Sequence, residues 1–224
     1  MRQRCITILV FLLSATLAAQ EGQFLSTTES DPAATALLDR MEQYLSAYDA
    51  AHVTFSMSID HPGQERIIYE GTVDQQGARF RIDVGTYLIC SDGVTRWVFV
   101  EEINEVSIYN ADPEDGPQTP LDHLRLYQTE AFIYAITGED TVDGEQAQVI
   151  EFKPVDKYSD FSKVRLTVRG RDARPLSMHV FDKGGSRIHL QIHQISAARP
   201  FPDNHFRFVI ADHPGVRVED LRID

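Results

Sequence analysis

Cysteine is nearly missing from this chain, with two among 224 residues, and the first, Cys5, lies in a stretch expected to be removed. Cys90 then stands alone, which excludes an intramolecular disulfide and leaves the fold to rest on its core. Its place in a strand next to the Ser91 turn marks it as a small buried hydrophobe rather than a nucleophile. Cations are also scarce, 21 Lys and Arg against 34 Asp and Glu, for a formal net charge of −13. A chain this acidic is repelled by nucleic acid and by anionic lipid surfaces and attracted to a basic protein. No Gly-x-Ser-x-Gly and no phosphate loop occurs. His189 and His193 have a spacing that would share one helix face, but the surrounding alternation is that of a strand. Four strand residues span about 13 Å, too far to hold one ion, and Leu190, not Glu, follows the first His. No metal site, no cofactor and no enzymatic activity are therefore expected.

The chain opens with Arg2 and Arg4, an apolar run from Cys5 to Leu13, and small residues through Ala18 and Ala19. A basic start, a short apolar middle and a small-residue end are the marks of a cleaved secretory signal peptide, expected over residues 1–20, with cleavage between Ala18 and Gln20. Its loss takes the net charge to −15. With no Cys at the junction, no lipid anchor is expected there. Residues 21–30 read as a loose polar arm, and the roughly 200 residues that remain make one domain the default.

Asp31 before Pro32 is an N-cap followed by a proline whose missing N–H costs a helix nothing. Leu37, Leu38, Met41, Tyr44, Leu45 and Tyr48 then recur at helical spacing as one apolar stripe. From His52 the period changes to two: Val53, Phe55, Met57 and Ile59 point one way and Thr54, Ser56 and Ser58 the other. His61-Pro62-Gly63 turns this strand into Arg66 to Val73. Gly71 to Tyr109 is a tight meander, with Phe80 and Ile82 alternating with charged neighbours. A sharp turn at Ser91-Asp92-Gly93 leads into the β-branched and aromatic run Thr95 to Val100, which holds Trp97 and Phe99. Asn110 to Thr119 is too rich in Asp, Glu, Gly and Pro for regular structure. Thr119-Pro120 repeats the cap-then-proline signal, predicting a short helix to about Tyr127 that carries Leu121 and Leu124. Five more strands follow, split by Asp143-Gly144, Asp172-Ala173 and Lys183-Gly184-Gly185. In the last three, Val164, Leu166 and Val168, then Leu176, Met178 and Val180, then Ile188, Leu190 and Ile192 face inward. Arg165, Thr167, Arg169, Ser177, His179, His189, Gln191 and His193 are expected to face water.

About ten strands thus present one apolar face, and only two helices exist to cover it. A sheet this wide must curl. The expected fold is α+β: a single curved antiparallel sheet with helices over the concave apolar face, if the sheet curls without closing. Either an apolar hollow remains there for a hydrophobic ligand, or the protein's own aromatic side chains fill it.

Ser91-Asp92-Gly93-Val94-Thr95-Arg96-Trp97-Val98-Phe99 resembles a segment of the LolA family of periplasmic carriers of outer-membrane lipoproteins. Glu70-Gly71, Ile150-Glu151-Phe152-Lys153-Pro154, Phe206-Arg207-Phe208 and Pro214-Gly215-Val216-Arg217-Val218 with Asp220 and Arg222 are similar to that family too, in the same order along nearly all of the mature chain. The resemblance implies an unclosed half β-barrel with a helical lid, a monomeric carrier domain over 31–224 that works in the periplasm without a cofactor. It takes acylated lipoproteins from an inner-membrane lipoprotein exporter of the LolCDE kind and passes them to an outer-membrane acceptor or to the outer membrane itself. The wall of an acyl-chain cavity is then expected from Val53, Phe55, Met57 and Ile59, from Phe80, Ile82, Trp97 and Phe99, and from Val164, Leu166, Val168, Met178 and Leu190. Leu37, Met41, Leu45, Leu121 and Leu124 are the expected lid. Each sheltered methylene contributes about 0.8 kcal/mol, so adaptable Met57 and Met178 suit a wall that must also let go. The family's basic-residue-then-proline latch is replaced here by Gln75-Gln76-Gly77-Ala78, from which a lid held only by apolar contacts is expected. The alternative with the same fold is a periplasmic sensor of lipids or lipoproteins. Such sensors append a second domain, whereas this chain ends soon after Asp220, so the carrier is the first expectation.

Overall fold

The computed structural model describes residues 29–112, 118–142 and 144–222; the expected signal peptide, most of the polar arm and Asp143 of one predicted turn lie outside them. Helix α1 (Pro32–Ser46) starts as its sequence predicts, the Asp31 carboxylate accepting the Ala33 N–H at 2.9 Å. A meander follows: β1 (Ala51–Asp60), β2 (Ile67–Gln76), β3 (Arg79–Asp83), β4 (Tyr87–Ser91), β5 (Thr95–Val100) and β6 (Glu105–Asn110). Helix α2 (Pro120–His123) is shorter than expected, and a separate 3-10 turn, Leu126–Gln128, completes the segment. The second meander is β7 (Phe132–Val142), β8 (Glu145–Pro154), β9 (Phe161–Arg169), β10 (Pro175–Asp182) and β11 (Arg187–Ala197), and β12 (Arg217–Asp220) ends the order.

All twelve strands join one sheet in the order β12-β6-β5-β4-β3-β2-β1-β11-β10-β9-β8-β7. The two meanders meet where β11 pairs antiparallel with β1. The ends, β12 and β7, do not pair, so the sheet is an unclosed half barrel. Among the described residues the one parallel pair is β6 with β12, and β12 is a strand that the sequence reading missed. At edge strand β7, the Asp31 N–H donates to the Tyr134 carbonyl at 2.8 Å, and the Asp31 carboxylate accepts the Ile136 N–H at 3.3 Å. The helix cap therefore also satisfies backbone groups that an edge strand would leave open.

Turn chemistry sets the corners. Between β4 and β5, Gly93 adopts φ +89° while the Asp92 carboxylate accepts the Val94 and Thr95 N–H groups at 3.0 and 2.9 Å. Gly71 serves close approach instead: a Cβ built on it would lie 2.6 Å from Val84 Cγ1 and 2.8 Å from both Phe55 Cζ and the Asp83 carbonyl.

Candidate functional site

Strand register decides which side chains share the concave face. Val53 pairs with Val73, Val73 with Ile82, Ile82 with Ile89 and Ile89 with Val98. On the other side, Met57 pairs with Leu190, Leu190 with Met178, Met178 with Leu166, Leu166 with Ile150 and Ile150 with Ile136. Directly opposed residues lie on one side of a sheet, so these rows form one continuous apolar surface. Val53, Phe55, Phe80, Ile82, Val164, Leu166, Val168, Met178 and Leu190 are buried in a single cluster upon it, with Met57 partly buried against them. Ile59 shares the face but stands half-exposed at its margin. Tyr134, Ile150, Phe152, Ile192 and Ile195 belong to the cluster as well. Alternation about Ile150 and Phe152 was the available signal for two of these.

Trp97 and Phe99 do not join this surface, a correction to the expected cavity wall. Phe99 pairs with Leu88, Leu88 with Asp83, Asp83 with Thr72 and Thr72 with Thr54, placing it on the opposite, outer face. Trp97 is one residue out of phase with Val98 in the other sense, opposite Cys90, and shares that outer face. There Phe99, Val106 and Phe208 form a second buried cluster, with Trp97, Leu88 and Val216 against it. Chain 199–216 is thus a strap over the outer face. Phe206 is fully buried with the Arg79 guanidinium 5.1 Å from its ring. Asp74 lies between His52 Nδ1 at 2.6 Å and His205 Nε2 at 2.7 Å. Burial pushes the Cys90 thiol up to about 11, in keeping with a packing role.

Helix α1 buries Leu37, Met41 and Leu45 against the concave face, together with Ala34 and Leu38, while the second segment contributes Leu121 and Leu124. All five expected lid residues therefore converge. The lid is not held by apolar contacts alone, however, and here the structure corrects the sequence expectation. The Thr119 hydroxyl donates to Gln75 Oε1 at 3.1 Å, and Gln75 Nε2 donates to the Asp122 carboxylate at 3.3 Å. Thr119 and Asp122 also cap each other's backbone N–H groups. Arg125 clasps Glu42 of α1 through Nε at 2.7 Å and Nη2 at 3.2 Å. Burial raises the Glu42 carboxyl, but hydrogen bonds from Arg125 and Ser46 outweigh it and hold the group below its ordinary value. A neutral amide and one ion pair thus hold the lid where only apolar contacts were expected.

Magnitudes separate the two covers. Four large apolar side chains of α1 contribute roughly 6–12 kcal/mol by burial, and Leu121 with Leu124 roughly 3–6 kcal/mol. The α2 segment is the more weakly packed cover, with two leucines against the four large side chains of α1. Openings lie at the margins of the face. One of about 170 Å³ sits beside Gln75, Phe80, Arg96 and Asp122, and a shallow one of about 660 Å³ lies between Phe132 and the loop joining β8 to β9.

The outer face of the second meander is less wet than its alternation suggests. Thr167, Ser177 and Arg169 are buried, not exposed, because the sheet curls and long neighbours fold over them. Arg169 forks onto Asp172 at 2.8 and 2.7 Å and also meets Glu145. His179 and His189 stack with ring centroids 3.8 Å apart. Burial first, then His189 and Arg165, push His179 down to about 4. His193, on the same strand as His189, faces Glu70 at 3.7 Å instead. Among the described residues, no group of three His, Cys, Asp or Glu is placed to hold a metal ion.

Residues 54–209 match the family model described as "Outer membrane lipoprotein carrier protein LolA". No curated protein matches the chain. Its fold is similar to an uncharacterized conserved protein from Thermus thermophilus, at 15% identity and TM-score 0.55, covering 84% of this chain and 99% of that one. A LolA superfamily protein from Nitrosomonas europaea aligns at 16% identity and TM-score 0.40, over 78% of this chain and 97% of that one. The lipoprotein LppX of Mycobacterium tuberculosis aligns at 12% identity and TM-score 0.48, over 77% and 100%.

Proposed function

The chain belongs to the LolA family of outer membrane lipoprotein carrier proteins, and from that premise we propose that it is a periplasmic carrier that shelters the acyl chains of lipoproteins. The observation that carries this reading is the unequal cover of the concave face. A broad apolar surface lies under one long, firmly packed helix and one four-residue lid whose polar ties can be broken separately. An acyl chain displaces Leu121 and Leu124, lies along Phe80, Ile82, Leu166 and Leu190, and restores the apolar burial that the lid gives up. The lost lid ties make the exchange nearly balanced, which a carrier needs, because a chain of about fifteen methylenes in a ready-made cavity would be held by on the order of 12 kcal/mol and released too slowly. Its donor is an inner-membrane exporter and its recipient an outer-membrane acceptor or the outer membrane.

A hydrophobic fluorescent probe tests the binding step and inner-membrane vesicles the transfer step. Probe uptake is expected in the native protein and loss of uptake in Met57→Glu, a half-buried rim position where a carboxylate can reach water without unfolding the core. Native protein that takes up no probe would sink the cavity. Release of lipoprotein from vesicles into the supernatant is the carrier result, whereas binding without release would identify a sensor.

A further inference from the structure

Three hairpin loops meet at one end of the sheet: 61–66, 155–160 and 183–186. The Lys183 N–H donates to the Asp160 carbonyl at 2.8 Å, its ammonium to the Lys157 carbonyl at 2.7 Å, and His61 meets Ser186 at 2.9 Å. Apolar side chains stand out of this end. Val155 is 61% exposed, Tyr158 80% and Phe161 41%. They border the shallow 660 Å³ opening, whose inner wall is Phe132, 6.3 Å edge-on from buried Phe152 of the concave face. The end of the molecule that carries exposed apolar tips therefore also lies at the margin of the concave apolar face.

The local charge has the opposite sign to the chain. Residues 60–66, 153–163 and 181–187 together hold six Lys and Arg against five Asp and Glu, within a protein of net charge −13. Three of the five carboxylates are already engaged, Asp156 by the Tyr158 N–H at 2.8 Å, Asp182 by the Gly184 N–H at 2.5 Å and Asp60 by Arg66 at 2.6 Å. Lys157 lies 4.8 Å over the Tyr158 ring, and Lys163, Arg165 and Arg187 surround Phe181 at 5.2, 5.5 and 5.9 Å. Aromatic rings with lysines beside them suit the headgroup layer of a bilayer, where the ring enters and the ammonium stays at phosphate level. A protein partner fits less well, because lysine is depleted in protein interfaces and these apolar groups sit on projecting loop tips rather than on a flat patch.

We propose that this loop end docks on a bilayer surface containing anionic phospholipid, with Val155, Tyr158 and Phe161 entering the headgroup layer and Lys157, Lys183 and Arg187 meeting the phosphates. The contact deepens the carrier reading, on which its purpose rests, by bringing the margin of the concave apolar face to the lipid that supplies or receives an acyl chain. The repulsion expected from the whole-chain charge is overcome locally, since only charges within about 10 Å of the surface count at 0.1 M salt.

The test is sedimentation of the secreted protein, free of cargo, with vesicles of phosphatidylglycerol and phosphatidylcholine, or of phosphatidylcholine alone. Binding is expected to the anionic vesicles and to weaken with salt. Tyr158→Ala with Phe161→Ala, and Lys157→Glu with Lys183→Glu, are each expected to lower it by about tenfold or more, while Val94→Ser at the opposite end leaves it unchanged. Native protein that ignores anionic vesicles, as it would if the surface served an acidic protein, overturns the proposal; so does equal binding by both double variants. Probe uptake separates the two readings: lost uptake with retained vesicle binding sinks the carrier and spares the docking surface, and the reverse result does the opposite.

Discussion

Replacing Gln75 by alanine isolates the tie that holds the short lid to the sheet. The change removes the acceptor of the Thr119 hydroxyl and the donor to Asp122, at 3.1 and 3.3 Å, without touching Leu121 or Leu124. A buried hydroxyl left without a partner costs about 1–3 kcal/mol. Thr119 is fully buried, but its hydroxyl still accepts the Asp122 N–H, and the 170 Å³ opening beside Gln75 admits water. The low end, about 1 kcal/mol, therefore applies, which is a roughly fivefold rise in the open population. Arg125→Ala removes a two-pronged contact with Glu42 between side chains 28% and 27% exposed, worth about 0.5–1 kcal/mol after screening. Together the two give about 1.5–2 kcal/mol, or roughly ten- to thirtyfold, less whatever they share, because Arg125 also approaches Asp122 at 3.8 Å. Hydrogen exchange reads this at the amides of His123, Leu124, Arg125 and Gln128, which bond only within the segment. Their protection should fall by these factors while β1 and β9 stay protected, and probe uptake should quicken in step. Unchanged protection in the double variant would show that the two leucines alone hold the lid, and the exchange argument would fail with it.

Gly71→Ala forces a methyl group against Val84, Phe55 and the Asp83 carbonyl; a loss of roughly 1–3 kcal/mol should appear in urea denaturation, and an unaltered midpoint would refute the close approach. Phe206→Ala empties a fully buried site under the outer strap, so stability should drop by about 3–5 kcal/mol while folded protein takes up probe as before. Altered uptake would mean that strap and hollow are coupled. For pH, His179 titrates near 4 in the folded chain against 6.5 free, so the unfolded chain binds more protons between those values. Stability is then complete above about pH 6.5 and declines toward pH 4, by less than the full shift implies because the stacked pair is partly exposed. His179→Gln should flatten that decline. Below about pH 4.5 Glu42, whose folded value is lowered, adds a separate loss as its tie to Arg125 is protonated away, and protection of the lid should fall there first.

Local pattern was enough for the elements. Asp31-Pro32 and Thr119-Pro120 cap the two helices by side-chain chemistry that is complete within four residues, and alternation from Val53 to Ile59 and from Val164 to Val168 identifies strands because the pleat has period two. The excess of apolar strand surface over helices already implied a curled sheet, and the family resemblance implied that it does not close. What local pattern could not supply was phase and partner. Trp97 and Phe99 read as the inward residues of their strand, and only the pairing chain from Val53 through Val73, Ile82 and Ile89 assigns the concave side to Val98 between them. Gln75 looked like a lost latch because its partners Thr119 and Asp122 lie 44 and 47 residues on. Phe206 ends a four-residue 3-10 turn and Phe208 sits in no regular element, so their burial on the outer face, and the parallel β12 beyond them, required the folded sheet as a template. Backbone periodicity is a property of neighbours in the chain. Which face is dry, and which polar group finds its mate, is a property of neighbours in space.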